Sequence, residues 1–223
     1  MGMKKNRLNI LIFFMIFFSK ITYSQKDLSN ITLIDIPSNV AINGFINIGE
    51  DLYAIGHYTD NKTFVSEIRL FKSSDNGDTW SRIEPKGLDL LTGNSFFNSK
   101  GRLFTSGTSV LFPIEFSVYS SKDNGLSWNR VTNGIPSNVA INGFINIVED
   151  LYAIGHYTDN KTFVSEIRLF KSSDNGDTWS SIDTEGLGLL TGNSFFNSRG
   201  ELFISGTSVL YPIEFSVYNF SIE

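Results

Sequence analysis

The stretch Ser73-Ser74-Asp75-Asn76-Gly77-Asp78-Thr79-Trp80 decides how this chain is read. It returns as Ser121-Lys122-Asp123-Asn124-Gly125-Leu126-Ser127-Trp128 and again as Ser172-Ser173-Asp174-Asn175-Gly176-Asp177-Thr178-Trp179. These copies contain all 3 tryptophans of the chain. Around them lies a larger duplication: Ile36 to Tyr119 matches Ile135 to Tyr218 at a constant offset of 99. The copies differ at positions such as Gly49 against Val148, Arg82 against Ser181, Lys86 against Glu185, Asp89 against Gly188 and Thr105 against Ile204. Such near-identity marks a recent duplication or an artefact of sequence assembly. A finer repeat runs inside each copy. Leu52-Tyr53-Ala54-Ile55-Gly56, Leu103-Phe104-Thr105-Ser106-Gly107, Leu151-Tyr152-Ala153-Ile154-Gly155 and Leu202-Phe203-Ile204-Ser205-Gly206 follow at spacings of 51, 48 and 51, which makes four units of two alternating kinds.

Each unit divides into short strands. From Val40 to Ile48 the residues Val40, Ile42, Ile46 and Ile48 alternate with Ala41, Asn43, Phe45 and Asn47, a period of two. Leu52 to Gly56 is nearly continuous in apolar residues, as an inner strand covered on both sides would be. Glu67-Ile68-Arg69-Leu70 and Ile114-Glu115-Phe116-Ser117-Val118 alternate as strands with one wet face do, and Trp80 to Ile83 supplies a fourth. The repeated octapeptide falls between the third strand and the fourth.

Residues 1–24 read as a secretory signal: Lys4, Lys5 and Arg7 precede an apolar run from Leu8 to Phe18, and Thr22-Tyr23-Ser24 offers small residues at the cleavage positions. That run is shorter than the roughly 20 residues of a membrane-spanning helix, so residues 25–223 are expected as one secreted or periplasmic domain with no membrane span. Loss of the signal's four positive charges takes the formal net charge from -5 to -9. An acidic chain without a basic stripe is a poor nucleic-acid binder. With 0 cysteines the domain has no disulfide framework and depends on its core.

The pattern S-x-D-x-G-x-[ST]-W, in register three times, resembles the Asp-box (BNR) repeat of sialidases, sortilin-type receptors and related secreted β-propellers. The resemblance covers nearly all of residues 25–223 and implies an all-β fold, a β-propeller of four four-stranded antiparallel blades. The fourth unit departs from the pattern after Tyr218, where Asn219-Phe220-Ser221-Ile222-Glu223 replaces the motif and the last strand. Asn30 to Asp35 precedes Ile36-Pro37-Ser38 as Asn129 to Gly134 precedes Ile135-Pro136-Ser137, so this N-terminal segment is expected to complete the last blade and close the ring. An open half-ring pairing into an eight-bladed homodimer is the rival arrangement.

A structural role accounts for every fixed position of the motif. The hydroxyls of Ser73, Ser121 and Ser172 and the carboxylates of Asp75, Asp123 and Asp174 suit bonds to nearby backbone N–H groups. Gly77, Gly125 and Gly176 allow a left-handed turn, and Trp80, Trp128 and Trp179 supply apolar plates. A calcium loop through Asp75, Asn76 and Asp78 lacks a closing bidentate Glu, and Leu126 replaces the last of these acids in the second copy. No metal and no cofactor is expected.

By the resemblance, function belongs on the face opposite these turns. Candidate ligand residues there are His57, Tyr58, Asp60, Asn61 and Lys62, repeated as His156, Tyr157, Asp159, Asn160 and Lys161, a polar loop with an aromatic able to stack on a sugar or peptide. In the even units the same loop is Val110-Leu111-Phe112-Pro113 and Val209-Leu210-Tyr211-Pro212, apolar enough to mark a contact surface or packing against the next blade. Sialidase chemistry, as the resemblance defines it, needs an arginine triad, a tyrosine nucleophile backed by Glu, an acidic acid/base and an F/Y-R-I-P motif. Ser81-Arg82-Ile83-Glu84-Pro85 matches that motif only superficially, and Arg69 and Arg168 read as lying on a solvated strand face. No catalytic residue is assigned: carboxylate pairs such as Asp60 and Asp159 follow automatically from duplication, and neither histidine sits near a nucleophile motif. The expected function is a secreted, non-catalytic propeller binding a glycan or an extracellular protein. The alternatives are a sialidase-like exo-glycoside hydrolase and a truncated, functionless duplicate.

Overall fold

The computed structural model describes residues 36–63, 65–109, 115–159, 165–184, 187, 189–208 and 215–221. Residues 1–24, expected as a signal, and the expected closing strand Asn30 to Asp35 lie outside them. The described chain is all-β, a propeller of four antiparallel sheets, each a meander in chain order. Blade 1 holds β1 (Val40–Ile48), β2 (Asp51–Thr59), β3 (Ser66–Ser73) and β4 (Ser81–Ile83). Blade 2 holds β5 (Leu90–Ser99), β6 (Arg102–Ser109), β7 (Phe116–Ser121) and β8 (Asn129–Arg130). Blade 3 holds β9 (Val139–Ile147), β10 (Asp150–Thr158), β11 (Ser165–Ser172) and β12 (Ser180–Ile182). Blade 4 shows three strands among the described residues, β13 (Leu189–Ser198), β14 (Glu201–Ser208) and β15 (Phe215–Ser221), where four were expected. The strands β1, β5, β9 and β13 adjoin one another in succession. The outer strands β4, β8 and β12 are only two or three residues long, which limits the exposed edge they offer.

Three apolar clusters lie between blades rather than within them, because both faces of each sheet carry apolar residues. Ile55, Leu70, Leu90, Leu103, Tyr119 and Trp128 join blade 1 to blade 2. Phe104 and Val118 of blade 2 meet Val139, Ile141, Phe144 and Trp179 of blade 3. Tyr152, Ile154 and Leu169 of blade 3 meet Leu202 and Ile204 of blade 4. The junctions thus alternate between two kinds, as the alternating units do.

The three motif turns connect the third strand of a blade to its fourth or to the residues leading there. Ser73 Oγ accepts from Gly77 N at 2.8 Å and donates to Asp75 Oδ1 at 2.7 Å, while Thr79 donates its amide to Asp75 Oδ1 at 2.9 Å and its hydroxyl to Asp75 Oδ2 at 2.5 Å. Ser121 with Asp123 and Ser172 with Asp174 repeat the arrangement. Donation by the Thr79 hydroxyl, then by the Thr79 amide and Ser73, lowers the Asp75 carboxyl to about 2, and the Thr178 hydroxyl and amide do the same for Asp174. Both carboxylate oxygens of Asp75 are thereby engaged inside the turn. Asn76 and Gly77 both have positive φ, 57° and 96°, so the invariant Asn-Gly pair supplies two consecutive left-handed residues.

The duplication places one residue under strain. Gly49 and Val148 occupy the same hairpin, with φ of 61° and 56°. A β-branched side chain is disfavoured there, and Val148 gains nothing from burial, being 83% exposed. Val148→Gly is expected to stabilise the chain by about 1 kcal/mol, read as a higher urea midpoint at unchanged slope.

Candidate functional site

At the end of the propeller opposite the motif turns, β2 and β10 deliver the predicted residues, but strand alternation sends them to different places. His57 and Tyr58 project from opposite faces of blade 1. His57 Nδ1 lies 3.1 Å from Asn43 Oδ1, and His156 Nδ1 lies 3.0 Å from Asn142 Oδ1. Burial lowers the His156 pKa below its ordinary value. Both asparagines are bulge residues: β1 shifts register between Ile42 and Gly44, and β9 between Ile141 and Gly143. Asn94 is the corresponding bulge residue of β5, between Gly93 and Ser95. A bulge turns an extra side chain out of the alternating pattern, and here it brings an amide to the inner strand of each of these blades. These asparagines are absent from the predicted set. Their signal was an Asn adjoining a Gly inside an otherwise apolar strand.

On the other face the tyrosines meet the arginines. The Arg69 guanidinium carbon stands 3.6 Å from the centroid of the Tyr58 ring, and that of Arg168 5.8 Å from the Tyr157 ring. Arg69 is not solvated as its alternating strand suggested: its side chain is 15% exposed and donates through Nε to Glu67 Oε1 at 2.8 Å. Arg168 pairs likewise with Glu166. Tyr58 and Tyr157 donate to Asp60 Oδ2 and Asp159 Oδ2, each at 3.2 Å. Burial, and then the nearby Asp159, raise the Tyr157 pKa.

Asp60 is mostly occupied by its own turn. It accepts the amides of Thr63 at 2.7 Å and Lys62 at 2.8 Å and the Thr63 hydroxyl at 3.0 Å, which hold its carboxyl below the usual range. Asn61 and Lys62 stand exposed on that turn. Asn160 and Lys161 lie outside the described residues, as do the even-unit loops Val110 to Pro113 and Val209 to Pro212.

The two copies are not equivalent beside the tyrosine. In blade 1, Arg82 reaches across to Glu67 and Glu84. In blade 3 its counterpart is Ser181, and a cleft of ≈ 350 Å³ opens between Tyr157, Arg168, Ser181, Pro136 and Asn138. A second depression of ≈ 270 Å³ shares Pro136 and Val139 with it and continues onto Phe116 and Arg130 of blade 2. The trough therefore offers an aromatic face, a guanidinium, a hydroxyl and an amide, and its described lining includes no Asp or Glu. Among the described residues no group of three His, Asp or Glu is placed to hold a metal ion, and no helix is long and apolar enough to cross a membrane.

No protein-family model and no curated protein sequence matches the chain. Its backbone is similar to several solved structures. One is a protein of unknown function from Dyadobacter fermentans, with TM-score 0.56 and 13% identity over 79% of this chain and 59% of that one. Another is Zg3597, a family 117 glycoside hydrolase produced by Zobellia galactanivorans, with TM-score 0.54 and 12% identity over 82% and 67%. A third is an α-L-arabinanase of Penicillium chrysogenum complexed with arabinobiose, with TM-score 0.54 and 15% identity over 82% and 63%. The chain spans 59% of the length of the first of these. At such identities the likeness is one of fold, and the fold it shares with them is the β-propeller.

Proposed function

We propose that this chain is a secreted, non-catalytic Asp-box propeller that binds a neutral glycan in the Tyr157–Arg168 trough, with Tyr58 and Arg69 as a second, shallower subsite. The observation that carries this reading is a tyrosine ring with an arginine over its face, at 3.6 Å for Tyr58 and 5.8 Å for Tyr157, the arginine's charge being already matched by Glu67 or Glu166. Such a group presents a flat apolar surface and fixed N–H donors without net positive charge, which suits a sugar ring and its hydroxyls better than an anion. The non-catalytic part is supported by the inner strands VAINGFINI and LLTGNSFFNS, which carry asparagines and no Asp or Glu in either copy. Glycosidic hydrolysis by the usual route requires two carboxylates flanking the bond. Glycan-processing structural neighbours support carbohydrate as the ligand class, and residues 1–24 support export.

Titration calorimetry of the purified chain against arabinobiose and other neutral oligosaccharides tests the proposal. Tyr157→Ala is expected to weaken binding about tenfold, equivalent to ~1.4 kcal/mol, and Tyr58→Ala to have a smaller effect. Sialosides are expected to bind no better than neutral sugars. Release of reducing sugar or of a fluorophore from any of these glycosides would overturn the non-catalytic reading.

A further inference from the structure

The two ends of the four-blade arc carry the two halves of a contact that the chain already makes once in its middle. At the junction of blades 2 and 3, Phe97, Phe104 and Val118 pack on Phe144 and Trp179. Phe104 and Phe144 have ring centroids 5.4 Å apart, Phe97 and Phe144 6.4 Å, and Phe104 stands edge-on to Trp179 at 6.3 Å. Shifted by the repeat of 99, the blade 2 half of this contact is Phe196, Phe203 and Val217 of blade 4, and the blade 3 half is Phe45 and Trp80 of blade 1. Blade 1 assembles its half from its own described residues: Val40, Ala54 and Phe71 gather with Ile42 and Trp80, and Phe45 stands edge-on to Trp80 at 6.0 Å. Each half keeps exposed apolar side chains, although Val40, Ala54 and Phe71 at the base of the blade 1 half are buried. Phe45 is 55% exposed where Phe144 is 3%, Val217 is 73% exposed where Val118 is 4%, and Phe196 is 64% exposed.

We propose that blade 4 of one copy seats on blade 1 of a second copy of this chain, head to tail, through the contact that joins blade 2 to blade 3. The internal junction is the template for the partner's chemistry. It needs three apolar side chains at these positions, and blade 4 supplies a Phe, a Phe and a Val at the same repeat positions. A second copy fits better than closure within one chain. Among the described residues Phe45 at one end and Phe196 and Val217 at the other are exposed at once, and a two-fold pair would bury them on both copies.

The polar rim sets the strength. Lys100 pairs with Glu149 at 2.7 Å, and the equivalents Arg199 and Glu50 keep this sign pattern. Arg102 pairs with Asp177 at 2.6 Å, but its counterparts are Glu201 and Asp78, two acids facing each other. The intermolecular contact is therefore weaker than the internal one.

The test combines light scattering with crosslinking of the full chain, which contains no native cysteine to interfere. Wild-type protein is expected to associate with increasing concentration. Glu201→Arg restores the charge pair and tightens association at least tenfold, and Val217→Asp weakens it at least tenfold while leaving the melting of the dilute protein unchanged. Phe45→Cys and Phe196→Cys proteins, mixed and treated with a short bis-maleimide, are expected to yield a crosslinked heterodimer. Two results overturn the proposal: a crosslinked monomer from the doubly substituted chain with none from the mixture, or monomers at all concentrations with no crosslink.

Discussion

Phe144→Ala is expected to lower the unfolding free energy by about 3–5 kcal/mol, while Phe45→Ala, the same substitution in the same nonapeptide, costs about 1 kcal/mol or less. The two residues share their neighbours in sequence throughout Val-Ala-Ile-Asn-Gly-Phe-Ile-Asn-Ile. They differ in what is opposite. Phe144 stacks on Phe97, lies tilted against Phe104 and touches Trp179, so its removal leaves a cavity lined by three rings. Among the described residues of its blade, Phe45 meets the Trp80 ring, and it is more than half exposed. Urea titration of both variants, performed at dilution to suppress association, measures the difference. Equal effects would mean that the blade 2 to blade 3 junction contributes no more than an open face. A Phe45→Ala penalty that grows with protein concentration would place Phe45 in the intermolecular contact.

Gly107→Ala is expected to prevent the chain from folding, a loss greater than about 4 kcal/mol. Gly107 lies opposite Gly93, beside the bulge at Asn94. A Cβ there would stand 1.7 Å from the Thr92 carbonyl oxygen and 2.9 Å from its carbon. The obstacle is backbone, so no rotamer change relieves it. Relief requires β5 to move away from β6, and β5 also packs against blades 1 and 3. Gly101→Ala is the matched control. Its φ is +83° with nothing within 4 Å of the added methyl, so it pays backbone strain alone, about 1 kcal/mol. Circular dichroism of the purified variants distinguishes the two: a folded, cooperatively melting Gly107→Ala protein would mean that β5 is not tightly held.

Much of this architecture was legible before any coordinates. The alternation from Val40 to Ile48 coincides with β1, and the octapeptide turns lie beyond the third strands, with Ser and Asp bonded to the backbone as their chemistry suggests. The loop candidates were less legible. Adjacent residues such as His57 and Tyr58 look like one site in a line of text, yet a strand sends them to opposite faces, one to an axial asparagine and the other to an arginine stack. Arg69 alternates with apolar residues as a solvated residue would, and only its position across from Tyr58 covers it. The bulges at Asn43, Asn94 and Asn142 were written as Asn beside Gly, but a period of two survives them closely enough to hide the register shift.

By itself the sequence determined the strands, the turns that lock them and their grouping into four blades, because these depend on residues close together along the chain and on a period that repetition makes plain. Tertiary structure alone decided which of two identically spelled faces is core and which is surface. Burial is a property of what lies opposite: for Phe144 that is blade 2, while among the described residues Phe45 stays more than half exposed.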